Sequence, residues 1–263
     1  MDKLNNPIIV IDSGIGAVNI AQKLHEKLTN ENIISISDTL YMPYGNLDVR
    51  KMKNRINKLI KYIEENYNPK LIVIGCNTID SICGDLLVNS FGNKIISIIK
   101  TTSQEAMQIS KTKNIGLFAT KNTIESHKYI YQMIQLGQNI NLLGVSCKNL
   151  AEMIENQDFK NKLIDEEISV LKDEKIDTII LGCTHYSLII NKFKKYYPKQ
   201  NIIDSAETII EQTIKKNIKF KNNQNAHKEG SLKIFATKIT EEFLNNSNKI
   251  TNNEAVEINE IKI

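Results

Sequence analysis

The 263-residue chain has no long apolar run, no Cys-x-x-Cys pair and no block of like charge. Its longest hydrophobic stretches, such as Leu71 to Ile74 and Thr178 to Leu181, fall far short of the roughly 20 residues that a membrane helix needs. No membrane partner is expected. Met1 to Asn6 carry Asp2 and Lys3 and run into an apolar segment without a signal-peptide core or cleavage site, so a cytoplasmic location is expected. The 34 Lys and Arg stand against 30 Asp and Glu, a formal charge of +4 dispersed along the sequence. Charge spread this way is a solvated surface and leaves no footprint for nucleic acid. Lys, Asn and Ile abound everywhere, as a biased genome would give. Cys76, Cys83, Cys147 and Cys183 neither pair nor cluster, which excludes a disulfide framework and leaves reduced thiols.

With 41% hydrophobic residues the chain can bury a sizeable core. Short runs rich in Ile, Val and Leu alternate with longer segments of helical period, the pattern of a parallel sheet covered on both faces by helices. The predicted strands are Pro7 to Ile11, Ile33 to Ser37, Leu71 to Gly75, Ile95 to Ile98, Asn114 to Ala119, Asn141 to Ser146, Asp177 to Leu181 and Asn201 to Ile203. Helical spacing covers Ala17 to Leu28, Val49 to Asn66, Thr123 to Leu136, Phe159 to Glu174 and Ala206 to Lys219. The fold class is α/β. LIVIGCNT at Leu71 to Thr78 and TIILGCTH at Thr178 to His185 repeat one unit, an apolar strand entering Gly-Cys-polar-polar. A repeat at that distance implies two similar α/β halves and not a solenoid. A composition break at Lys219 to Gly230 precedes a last strand, helix and strand from Leu232 to Ile261, expected to pack back on one half.

In a parallel α/β sheet the functional groups lie beyond the carboxyl ends of the strands, where helix N-termini present free N–H groups. Five segments fall there: Asp12 to Gly16, Pro43 to Gly45, Cys76 to Thr78, Ala119 with Thr120, and Cys183 to His185. Their hydroxyl, amide and N–H groups suit the carboxylates and ammonium of a zwitterion. The Gly-Ile-Gly of Gly14 to Gly16 is half of a dinucleotide fingerprint, but Asn19 occupies the third glycine position, so a tight strand-to-helix turn is the better reading. Asp12 is then either a functional carboxylate or a helix N-cap.

Cysteines at strand ends before a helix are placed where helix dipole and N–H groups stabilise a thiolate. Core packing gives no reason for the same setting to recur, so Cys76 and Cys183 are read as chemistry. Cys83 lies deeper, among apolar neighbours, and reads as filler; Cys147 stays open. The cysteine spacings match no common zinc arrangement, so no metal is expected. A disulfide oxidoreductase would want Cys-x-x-Cys, and a cysteine hydrolase would leave one of the two cysteines idle. A symmetric pair suits removal of a proton from one face of a stereocentre and its return on the other, with base and acid exchanging roles on reversal. A binding protein that keeps the cleft would need no thiol pair.

These residues match a family: the chain resembles glutamate racemase, of the aspartate/glutamate racemase superfamily, over nearly its full length. The resemblance rests on IDSGIG at Ile11 to Gly16, MPYG at Met42 to Gly45, GCNT at Gly75 to Thr78, GLFAT at Gly116 to Thr120, LGCTHY at Leu181 to Tyr186 and DSA at Asp204 to Ala206. It implies two parallel-sheet α/β domains related by a pseudo-two-fold axis, residues 1–99 with 206–263 and an inserted 100–205, with the active site in the cleft and no cofactor. It implies that Cys76 acts on D-glutamate and Cys183 on L-glutamate, with Asp12, His185 and Glu155 as supporting acid–base residues. Ser13, Tyr44, Gly45, Asn77, Thr78, Thr120 and Thr184, with Asp12 and His185, match substrate contacts. The implied role is D-glutamate supply for peptidoglycan in a bacterial cytoplasm, and a homodimer is one admissible assembly. Aspartate is the alternative substrate; His185 favours glutamate, since relatives acting on aspartate usually carry Glu there. Three departures stand out: Ala17 replaces a second glycine, Lys148 a proline, and Asp80-Ser81-Ile82 is unusual after CNT.

Overall fold

The computed structural model describes residues 6–137, 139–160, 162–220, 229–252 and 256–263; most of the composition break at 219–230 lies outside them. Each apolar run becomes a strand, and the amphipathic segments become helices with two exceptions. In chain order these are β1 (Ile8–Asp12), α1 (Gly16–Lys27), β2 (Ile33–Ser37), α2 (Val49–Asn66), β3 (Leu71–Ile74), α3 (Asn77–Phe91), β4 (Ile95–Ser97), α4 (Ile98–Ile109), β5 (Asn114–Ala119), α5 (Lys121–Glu125) and α6 (Lys128–Ile134). Then follow β6 (Asn141–Ser146), α7 (Leu150–Glu155), α8 (Lys162–Ser169), β7 (Thr178–Gly182), α9 (Ile190–Tyr196), β8 (Asn201–Asp204), α10 (Ser205–Phe220), β9 (Leu232–Ala236), α11 (Glu241–Ile250) and β10 (Glu257–Glu260).

Two parallel sheets result, ordered β10-β9-β2-β1-β3-β4 and β6-β5-β7-β8. The sequence repeat has a topological counterpart: β2-β1-β3-β4 of the first sheet and β6-β5-β7-β8 of the second share one order. In register, Ile11 of β1 stands beside Ile74 of β3, and Ala119 of β5 beside Gly182 of β7. Cys76 and Cys183 therefore leave equivalent strands, next to Asp12 in one half and Thr120 in the other.

Each sheet is covered on both faces, which is why its central strands are apolar throughout. α4 and α10 pack on each other and against strands of both sheets, so one core runs from Ile8 and Val10 through Ile99, Ala106, Ile209 and Ile210 to Leu117 and Ile180. Each fully buried Ile or Leu stabilises by about 1.5–3 kcal/mol, and this shared core ties the halves together. α2 and α3 cover the first sheet's other face with Ile56, Leu59, Ile63 and Cys83. α7 to α9 cover the second's with Met153, Ile164, Ile168 and Phe193.

The strand bounds differ from the sequence reading by one residue at several ends. Two helices differ more. The expected Thr123 to Leu136 helix is broken into α5 and α6 by His127, which takes a left-handed conformation (φ 54°). The expected Phe159 to Glu174 helix is confined to α8. Among the described residues no helix is long and apolar enough to cross a membrane.

Candidate active site

The carboxyl ends of β1, β3, β5 and β7 open on one cavity of about 170 Å³. That is below the roughly 300–1,000 Å³ of drug-sized pockets and suits a small metabolite. Its wall contains Asp12, Ser13, Tyr44, Gly45, Cys76, Asn77, Thr78, Thr120, Glu155, Cys183, Thr184 and His185, every site residue expected from the sequence. Met42, Pro43, Ala151, Glu152, Asn156 and Glu242 complete it. Both cysteines in the wall are more than nine-tenths buried and all four cysteines are free thiols.

Asp12 ends β1, and its Oδ1 accepts the N–H groups of Ser13 (2.5 Å) and Gly14 (3.3 Å), which fixes the turn into α1. It is not the N-cap of α1: that position is Ile15, which gives no side-chain cap. Thr184 Oγ1 donates to Asp12 Oδ2 at 3.0 Å, a bond from the second half to the first. A Cβ on Gly16 would lie 2.3 Å from both Asp12 Oδ2 and Thr184 Oγ1, so this approach needs glycine. Burial raises the Asp12 pKa, against the opposing His185 charge and the donors Thr184, Ser13 and Gly14.

Cys76 stands at the N-cap of α3. Ser13 Oγ lies 3.7 Å from its sulfur and 3.3 Å from Asp12 Oδ1, linking thiol and carboxylate. Burial and the Asp12 charge push the Cys76 thiol well above the usual thiol range, while the Ile79 N–H of the first turn of α3 acts the other way. The helix N-terminus expected to favour a thiolate is present, but desolvation outweighs it. Once ionised, such a sulfur is a stronger base than a solvated thiolate.

Cys183 is followed by a 3-10 turn, Thr184 to Ile189, and only then by α9, so the helix N-terminus expected directly after this cysteine is displaced. A side chain takes its place: His185 Nδ1 is 3.6 Å from Cys183 Sγ, and its Nε2 is 2.5 Å from Glu155 Oε2. Burial alone would lower the His185 pKa; hydrogen bonds to Cys183 and Glu155 override it and hold the imidazole well above its usual range. The two thiols thus have unlike partners, the Asp12 carboxyl reached through Ser13 beside Cys76 and the His185 imidazole beside Cys183.

Across the halves Thr78 Oγ1 and Thr120 Oγ1 are 2.8 Å apart, and Thr123 Oγ1 stands 3.0 Å from Thr120. The Asn77 amide is taken up by the protein itself, bonded to Tyr129 (2.6 Å) and Ser205 (3.1 Å). Tyr44 donates its hydroxyl to Asp38, which is clamped by Arg55 Nε (2.9 Å), Arg55 Nη2 (2.8 Å) and Thr237 Oγ1 (2.7 Å). Asn122 of α5 donates to the carbonyls of Tyr44 and Leu47, each at 2.9 Å, so both halves hold the Tyr44–Gly45 loop.

Sequence reasoning missed Asp38, Arg55, Tyr129 and Thr237, whose place is set by tertiary contacts, and Glu242 of α11, which reaches the cavity from the tail. The unusual Asp80 has a structural task. Buried on α3, it accepts Ser97 Oγ (2.6 Å), the N-cap side chain of α4, and the Ile99 N–H (2.8 Å) of that helix's first turn.

The family model described as Asp/Glu/Hydantoin racemase matches residues 18–213. A glutamate racemase of Sulfurihydrogenibium sp. (strain YO3AOP1) is 32% identical over 235 residues, 88% of either chain. Among solved structures, a glutamate racemase isoform from Bacillus anthracis superimposes with a TM-score of 0.89 at 25% identity, over 99% of this chain and 98% of that one. A glutamate racemase from Francisella tularensis subsp. tularensis SCHU S4, in complex with D-glutamate, gives 0.89 at 25% identity over 98% of each. With two cysteines at the ends of equivalent strands, two matching parallel sheets and likeness over nearly its whole length, the chain belongs to the Asp/Glu/hydantoin racemase family.

Proposed function

We propose that this chain is a glutamate racemase that interconverts L- and D-glutamate without a cofactor, by proton removal at one cysteine and proton return from the other. The observation that carries the reading is the placement of the buried Cys76 and Cys183 at the ends of the equivalent strands β3 and β7, in the wall of one cavity. As thiolate, Cys76 takes the α-proton of D-glutamate, and the C–H bonding pair passes to the α-carbon and its carboxylate. That pair then takes the proton of the Cys183 thiol on the opposite face, giving L-glutamate; the reverse reaction begins with Cys183 as base.

Among the described residues the cavity wall contains no Lys or Arg, so carboxylates are met by the hydroxyls of Ser13, Thr78, Thr120 and Thr184 and by N–H groups opening α3. Neutral donors hold a carboxylate without quenching a nearby thiolate base. His185, backed by Glu155, serves Cys183; Asp12, through Ser13, serves Cys76. The α-proton is a very weak acid, and the burial that raises Cys76 narrows the gap. The reading includes residues 1–99 with 206–263 as one domain and 100–205 as the inserted other, which the strand membership of the two sheets supports. It also includes a cytoplasmic role in supplying D-glutamate for peptidoglycan.

Circular dichroism of the substrate tests it. Pure L- or D-glutamate loses its signal to zero with the protein present, while both aspartate enantiomers keep theirs. Loss with aspartate alone moves the substrate, and no loss with any of the four overturns the reading.

A further inference from the structure

Asn77 follows Cys76 and opens α3, yet its side chain is 2% exposed and is engaged on both ends. Its Oδ1 accepts the Tyr129 O–H at 2.6 Å and its Nδ2 donates to Ser205 Oγ at 3.1 Å. Tyr129 comes from α6, and Ser205 opens α10 after β8; they are 1% and 0% exposed. Where α6 and α10 meet the start of α3, these groups have no water to replace a lost partner, so each fixes the other. The residue held this way is one peptide from a cysteine and lines the cavity at the start of α3.

We propose that Tyr129 is a positioning residue for the half-reaction at Cys76. Through Asn77 it holds the first turn of α3 from the second half, so that the Cys76 sulfur and the N–H groups around it stay aligned on the substrate. The proposal rests on the two-cysteine reading of the site. Tyr129→Phe removes one oxygen and keeps the ring in its core position. It leaves the Asn77 carbonyl unpaired and the amide free to turn, which moves Cys76 and leaves the Cys183, His185 and Glu155 chain intact.

The two enantiomers have equal free energy, so any variant must lower kcat/KM equally in both directions; the rate alone cannot say which cysteine was disturbed. Primary isotope effects can. Disturbing the Cys76 step makes proton removal from D-glutamate more limiting and removal from L-glutamate less so.

The experiment measures isotope effects on kcat/KM with α-deuterated D- and L-glutamate for the wild type, Tyr129→Phe and Ser205→Ala, with thermal midpoints as a check on folding. Tyr129→Phe is expected to lower kcat/KM about tenfold, to raise the effect with D-glutamate and to bring that with L-glutamate toward one. Ser205→Ala is expected to move both the same way by less. Isotope effects that Tyr129→Phe leaves unchanged, shifts together or shifts in the opposite sense overturn the proposal while the racemase reading stands. A wild type with no α-deuterium effect in either direction overturns both.

Discussion

Replacing Glu155 by Gln keeps the side chain's size and one hydrogen-bond partner for His185 while removing a buried charge. The bond at issue is 2.5 Å long, between groups each 7% exposed, so solvent screens it little. A hydrogen bond to a charged group contributes about 1.5–3 kcal/mol against about 0.5–1.5 for a neutral pair, so the variant loses about 1–2 kcal/mol of imidazolium stabilisation. The His185 pKa therefore falls toward its ordinary range, and at about 1.36 kcal/mol per tenfold kcat/KM falls by about five- to thirtyfold. The assay is twofold. Proton NMR of the His185 ring follows its titration in wild type and variant, and the pH profile of racemisation follows the enzyme. His185 is raised in the folded protein, so its charged form survives to higher pH than a free imidazole, and the variant's profile loses its alkaline limb at lower pH. A variant whose His185 titrates as in the wild type, or whose profile does not move, would refute the claim that Glu155 sustains the imidazolium.

Three further outcomes follow from the geometry. Burial raises Asp80 to about 6 against the donors Ser97 and Ile99, so its stabilising contribution is full below about 3.8 and is lost as pH rises through about 6. Asp80→Asn should gain up to about 3 kcal/mol over wild type, growing between pH 4 and pH 7 and flat above, read as thermal midpoints across that range. In Gly16→Ala the new Cβ meets Asp12 and Thr184 at 2.3 Å, so the Thr184–Asp12 bond breaks, with about 1–3 kcal/mol lost in urea unfolding and a fall in kcat/KM. In Asp38→Ala the guanidinium of Arg55, 6% exposed, is left without its carboxylate, at a cost of about 3–5 kcal/mol in the same assay and with the Tyr44 loop released.

The halves and their cysteines were legible because a parallel strand buried on both faces must be written in apolar residues, and Gly-Cys-polar-polar occurs twice after one. The same pattern carried Asp12, Thr120 and Thr184 to the right strand ends. The clamp on Tyr44 was not legible: Asp38 reads as a loop acid and Arg55 as one cation among many on α2, and only folding puts both out of water. His127 breaks a helix that its sequence period supports, because it takes a left-handed conformation at an exposed position where no glycine marks the turn. The helix expected after Cys183 gave way to a 3-10 turn, and its electrostatic role passed to His185, a residue the sequence had named for a supporting part only.

The most direct test of the account is NMR of the α-proton in D2O with Cys76→Ala and Cys183→Ala. Neither variant should racemise glutamate; Cys76→Ala should still exchange the α-proton of L-glutamate with retention, and Cys183→Ala that of D-glutamate. Racemisation surviving in either variant, or exchange of the same enantiomer by both, would contradict the assignment of one cysteine to each face.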